Sequence, residues 1–171
     1  MSRFAVTRTI AGLAVLLLLA ACSRGQPMAG LSPAQTSSEG DSGPIVPGSA
    51  REFSARIGDT VYFTTDQVEL SPEAQQILAA QAAWLNQYTQ YRVILEGHAD
   101  ERGTREYNIG LGAQRAANAK HFLAARGISP DRIKTVSYGK ERPVAVCANI
   151  SCWSQNRRVV TVVSQGGGAG Y

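Results

Sequence analysis

Between Leu95 and Arg115 the sequence changes its periodicity within a few residues, and this change constrains the fold more than any other stretch. Arg92-Val93-Ile94-Leu95 is β-branched and apolar, as in a strand, and Gly97 is expected to end it. A polar loop with a second glycine, Gly103, follows. Glu106, Tyr107 and Asn108 then lead into a long Ala-rich helix. A strand end, a charged loop and a helix start therefore meet at one place. In open α/β layers, ligands sit just outside the carboxyl ends of strands. Two opposite charges stand out there: Asp100 in the loop, and Arg115 two turns inside the helix. At about 100° per residue, Asn108, Leu111, Arg115, Ala119 and Phe122 share one helix face. Ile109, Ala113, Ala116 and Leu123 share another, expected to be the core face. An arginine placed between Leu111 and Phe122 has two uses. It can snorkel to water or pair within the protein, for instance with Asp100. Alternatively its planar fork can bind a ligand carboxylate. In the second case Asp100 and Arg115 form a site for a ligand that carries both an ammonium and a carboxylate.

Gly97-His98-Ala99-Asp100, Gly103, Tyr107-Asn108, Leu111 and Arg115-Ala116 resemble the signature of OmpA-like peptidoglycan-binding domains. The resemblance covers roughly Asp59 to Val163. The form Gly-His-Ala-Asp-Glu-Arg-Gly-Thr, with Ser137-Tyr138-Gly139-Lys140-Glu141-Arg142-Pro143 downstream, is similar to the lipoprotein branch of that family. The resemblance implies an α/β (α+β) two-layer sandwich that holds peptidoglycan without covalent bonds. Asp100 and Arg115 would grip the diaminopimelate of the stem peptide, taking its ammonium and a carboxylate respectively. Phe63, Asp66, Asn108 and Leu111 would line or brace the site, and N–H groups around Gly97 and Gly103 would add hydrogen bonds. One departure from the family pattern is Thr64, where many relatives carry an acidic residue. It bears on Asp66 and its neighbours more than on Asp100 or Arg115. By the same resemblance Tyr138, Gly139, Lys140, Glu141 and Pro143 mark a segment that meets TolB, with TolA a further partner. The implied role is to link outer membrane and cell wall within the Tol envelope system, supporting envelope integrity and cell division.

The amino terminus fits that role. Arg3 and Arg8 form a basic region, and Ile10 to Ala21 is an apolar run too short to span a bilayer comfortably. Residues 1–21 read as a signal peptide. Leu19-Ala20-Ala21-Cys22 resembles the bacterial lipobox, in which the cysteine thiol accepts a diacylglyceryl group. Ser23 lacks the aspartate that commonly retains such proteins in the inner membrane, so an outer-membrane anchor with the domain in the periplasm is expected. Residues 22–50 are rich in Gly, Ser, Pro and Ala and read as a flexible tether. The chain has 17 basic and 13 acidic residues; Arg3 and Arg8 leave with the signal, so the mature charge is +2. No basic cluster interleaved with aromatics suggests nucleic acid.

The domain itself is expected over residues 51–164, followed by a disordered Gly-rich tail over 165–171. Asp59 to Phe63 reads as a strand. Ser71 and Pro72 are the cap and first residue of a helix. Trp84 reads as core or rim rather than a ligand platform. Ile133 to Tyr138 and Val159 to Val163 complete the strands, so helices should cover one face of a mixed sheet. With Cys22 acylated, Cys147 and Cys152 remain in an oxidising compartment and read as a disulfide around a short loop. No cofactor and no metal are implied, because Cys147 and Cys152 lack a second ligand pair. The alternative in another class is a wall-modifying hydrolase or metal-dependent enzyme built on His98, Asp100 and Glu101.

Overall fold

Alternating burial along Tyr91–His98 (β2) sets the two layers. Val93 and Leu95 are buried, while Ile94 and Glu96 on the other face are half-buried. The computed structural model describes residues 44–166. β2 pairs in parallel with Ile133–Gly139 (β3) and antiparallel with Arg158–Gln165 (β4). Thr60–Tyr62 (β1) lies on the outer side of β4, giving the order β1-β4-β2-β3. Parallel neighbours need a crossover, and the helix Arg105–Ala125 (α3) supplies it between β2 and β3. Pro72–Gln87 (α2) packs beside α3. The result is the two-layer α/β architecture read from the sequence, with helices on one face of a mixed sheet.

The core lies between that face and the helices, around Leu78, Leu85, Leu95 and Leu123. Trp84 belongs to it, with ring centroids of Phe53, Tyr88 and Tyr91 at 5.0, 4.7 and 4.8 Å. Gln81 is fully buried but satisfied: it donates to the Gly58 carbonyl at 2.7 Å and accepts from the Thr161 hydroxyl at 2.8 Å. Ser71 and Thr104 cap α2 and α3, each accepting a backbone N–H three residues on.

Several boundaries differ from expectation. Gly97 does not end β2 but sits inside it, paired on both sides. Its missing side chain lets α3 approach: a Cβ there would collide with the Gly112 carbonyl. Gly97 therefore serves packing, and its backbone belongs to the sheet rather than to a ligand loop. The buried face of α3 is Asn108, Leu111, Gly112, Arg115, Ala116, Ala119 and Leu123, whereas Ala113 is exposed. The short helix Ala50–Glu52 (α1) and the π turn Phe53–Ile57 start the domain. Order reaches into the expected tether, because the Gly48 carbonyl accepts the Tyr91 hydroxyl at 2.8 Å. At the other end β4 runs to Gln165, and the Gly166 N–H reaches the Gln90 carbonyl. Cys147 and Cys152 are bonded, with Cα atoms 5.6 Å apart. The bridge enters a short helix, Ile150–Asn156 (α4), where only a loop was foreseen. The signal segment, Cys22, most of the tether and residues 167–171 lie outside the described residues. Among the described residues, no helix is long and apolar enough to cross a membrane.

Candidate functional site

The carboxyl ends of β1, β2 and β3 and the start of β4 converge at one end of the sheet. Asp100 follows β2 there, after Ala99 donates its N–H to the Gly139 carbonyl at 2.8 Å. Its side chain is buried and held by four donors. Oδ1 accepts the Arg102 N–H and Nε, each at 3.1 Å. Oδ2 accepts Arg102 Nη2 at 2.7 Å and Arg157 Nη1 at 3.2 Å. Burial pushes the carboxyl up, but the hydrogen bonds from Arg102 and Arg157 outweigh it and hold Asp100 below the usual carboxylate range.

Arg115 is not the open fork expected from the sequence, nor is it the partner of Asp100. It has 0% exposure and donates to three backbone carbonyls. Nε reaches Gln67 at 2.9 Å, Nη1 reaches His98 at 2.9 Å, and Nη2 reaches Thr64 at 3.2 Å. Its guanidinium also faces the buried Phe63 ring at 5.0 Å. Burial, and then the like charge of Arg157, lower its value to about 10. The side chain thus ties the exit of β1 to the end of β2. Two of its five N–H donors are not used in these three contacts.

The remaining residues frame this pair. Asn108 is buried and donates from Nδ2 to the Arg102 and Thr104 carbonyls at 2.7 and 3.0 Å. Gly103 turns the loop with φ +83°, a conformation that disfavours any side chain. Lys140 clamps the same loop from the turn after β3, donating to the Gly103 and Glu101 carbonyls. Leu111 lies on the buried face of α3 between Asn108 and Arg115. Asp66 is exposed in the β1 exit with φ +55°, so that segment is backbone-strained. Both Arg102 and Arg115 feel its negative charge.

Sequence reasoning missed three contributors. Arg157 bridges Asp100 and the Phe63 carbonyl, at 3.2 and 3.0 Å. Arg102 covers Asp100 while its own side chain is 42% exposed. Trp153 of α4 lies 4.4 Å beneath the Arg102 guanidinium and donates to Glu101 at 2.9 Å. The one signal was the run Gln155-Asn156-Arg157-Arg158 before a strand. It places basic residues at a strand start without saying what they face.

The downstream segment is divided. Tyr138 is half-buried under the Arg142 guanidinium at 3.6 Å, and Gly139 is buried. Lys140 is committed to the loop. Glu141, paired with Arg105 at 3.3 Å, and Pro143 are exposed.

The hydrolase alternative does not assemble. His98 is buried with both ring nitrogens lacking a hydrogen-bond partner among the described residues. It does not bond the loop, and burial with Arg158 and Arg142 lowers it to about 4. Glu101 instead faces Trp153.

A family profile, that of the OmpA family, matches residues 62–157, the span that carries the collar of Arg102, Arg115 and Arg157 around Asp100. The chain belongs to the OmpA family. Proteins named peptidoglycan-associated lipoprotein are similar to it. That of Mesorhizobium japonicum is 60% identical over 125 residues, 73% of this chain and 74% of the relative. That of Agrobacterium fabrum is 48% identical over 170 residues, covering 99% and 93%. Among solved structures, the peptidoglycan-associated lipoprotein from Burkholderia pseudomallei matches with TM-score 0.64 and 32% identity, covering 68% of this chain and all of that one. The C-terminal domain of Helicobacter pylori MotB shares the fold, with TM-score 0.58 at 19% identity. As a member of this OmpA family, the chain is a binding protein rather than an enzyme.

Proposed function

We propose that this chain is an envelope lipoprotein, anchored in the outer membrane through acylated Cys22, whose periplasmic domain holds peptidoglycan without covalent bonds. The observation that carries the reading is the covering of Asp100. Its carboxylate is buried, yet one of its two cations is the solvent-reachable Arg102, which a ligand cation would displace. The ammonium of diaminopimelate in a stem peptide would take the place of Arg102, while Arg157 stays. A ligand carboxylate would meet the displaced Arg102, with the positive charge of the buried Arg115 behind it. Phe63, Asp66, Asn108, Gly103 and Leu111 would shape this pocket. Relatives named for association with peptidoglycan support the ligand class.

Binding to purified sacculi tests this. Asp100→Ala should lower co-sedimentation affinity tenfold to several hundredfold, because hydrogen bonds to charged groups contribute about 1.5–3 kcal/mol each. Normal binding by a folded Asp100→Ala protein would remove the proposed site. Within the Tol–Pal system, the segment from Tyr138 to Pro143 would meet TolB, with TolA a further partner, in support of envelope integrity and division. Glu141 and Pro143 offer the accessible part of that surface, whereas Lys140 acts on it by fixing the loop. Capture of TolB by Glu141→Lys, compared with the native chain, tests it, and unchanged capture counts against that contact.

A further inference from the structure

A groove of about 820 Å³ opens beside the collar, on the other side of the β1 exit. It runs between that exit, the start of α2 and the end of α4. We propose that this groove is a saccharide subsite, which takes an N-acetylhexosamine of the glycan strand from which the stem peptide hangs. The proposal rests on the stem-peptide reading of the Asp100 site.

Three observations support it. The first is continuity. Phe63 and Arg157 line the groove and also build the collar, and Arg157 Nη1 lies 3.2 Å from Asp100 Oδ2. Peptide residues extend about 3.5 Å each. A sugar joined two residues from diaminopimelate therefore lies about 7–10 Å from it, within reach of this groove. The second is the kind of surface. Tyr62 is 53% exposed, and Leu70 and Pro72 lie near it. Gln67, Ser154 and Gln155 add amide and hydroxyl groups; Ser154 and Gln155 already donate to the Ser151 carbonyl, which leaves their oxygens to accept. An aromatic face with apolar neighbours and a few hydrogen-bonding groups matches the two sides of an N-acetylated sugar ring. The third is charge. Glu69 and Glu73 line the groove, and its cation, Arg157, is buried and committed to Asp100 and the Phe63 carbonyl. An anionic ligand such as a phosphate is therefore disfavoured, and a neutral, hydroxyl-rich one is not.

The test compares two probes on the full mature chain in detergent, by calorimetry. One is a diaminopimelate tripeptide, and the other is the same tripeptide carrying its N-acetylglucosamine–N-acetylmuramic acid disaccharide. The native chain should prefer the disaccharide form about tenfold. Tyr62→Ala with Gln155→Ala should cut that preference below twofold, while affinity for the free tripeptide and the melting temperature stay unchanged. Equal affinity of the native chain for both probes overturns the proposal, as does a preference that survives the double variant. If the native chain does not bind the free tripeptide, the reading of the Asp100 site fails instead. Peptide-free glycan oligomers then decide the groove. Binding that Tyr62→Ala abolishes supports a saccharide subsite, and no binding overturns it.

Discussion

The core beneath α2 and α3 and the collar at the carboxyl end of β2 are built on opposite terms. In the core, Leu78, Leu85, Leu95 and Leu123 are held by contact alone, and any side chain of similar size and shape would serve. In the collar, position matters atom by atom. Arg115 is as buried as Leu85, yet it is there to satisfy three carbonyls, and those carbonyls hold two separate chain segments. Burial therefore means volume in one region and hydrogen-bond accounting in the other. The two regions should fail differently when damaged.

Arg115→Ala should have the largest effect. It leaves three acceptors without a donor at about 1–3 kcal/mol each, so a stability loss of about 5 kcal/mol is expected in denaturant melts, together with loss of sacculus binding. Arg115→Lys should rescue little of either, because one ammonium cannot reproduce a planar fork toward Gln67, His98 and Thr64. A folded Arg115→Ala protein of native stability would erase the contrast between the regions.

Leu85→Ala should cost about 3–4 kcal/mol through a cavity, while the folded fraction binds sacculi with native affinity. Measured at a temperature well below the melting point, weakened binding by this variant would show that core and collar are one cooperative unit.

His98 lies where the two regions touch, at the end of β2 with its carbonyl on Arg115. Its folded value of about 4 lies below the ordinary histidine value of 6.5, so the fold favours the neutral ring. Stability is complete above about pH 6.5 and should fall as pH drops toward 4, by about 3 kcal/mol at the lower limit. Facing charges are Arg158 from β4, Arg142 from the turn after β3, and Glu96 on its own strand at 3.9 Å. His98→Phe should flatten that part of the pH profile, and a profile unchanged in slope would mean other groups cause it.

The smallest effect should come from Cys147→Ser, at about 2 kcal/mol or less, since the bridged loop is short. Its site of action should be local: α4 carries Trp153 and leads into Arg157, so binding should weaken a few-fold even where stability barely changes.

Much of the fold was legible because periodicity reports burial directly. The strand around Val93 and Leu95, the cap at Ser71 and the crossover helix α3 all follow from side-chain spacing. The site was legible in part. Asp100, Asn108, Gly103 and Arg115 do gather at the strand end, but their partners were not foreseeable. Arg157 is 57 residues from Asp100, and Gln67 is 48 from Arg115. No local rule connects such distances. The face of α3 was misjudged for a related reason. Spacing alone favours apolar residues for the interior, whereas Arg115 and Asn108 are admitted because backbone carbonyls await them. Gly97 misled as a strand stop, since a glycine that ends a strand and one that admits a helix look alike in sequence.

The pairing of Tyr91 with Gly48 and of Gly97 with its neighbours has a mechanical consequence. The chain enters the domain beside the amino end of β2, and the collar lies at its carboxyl end, about 25 Å away for an eight-residue strand. A pull between the entry point and a ligand held at the collar runs along the strands. Tension in that direction loads the cross-strand bonds of β2 to β3 and β4 together, as shear, rather than peeling them one at a time. A tug applied at Pro44 therefore meets the sheet lengthwise, along its strands, before it reaches Asp100.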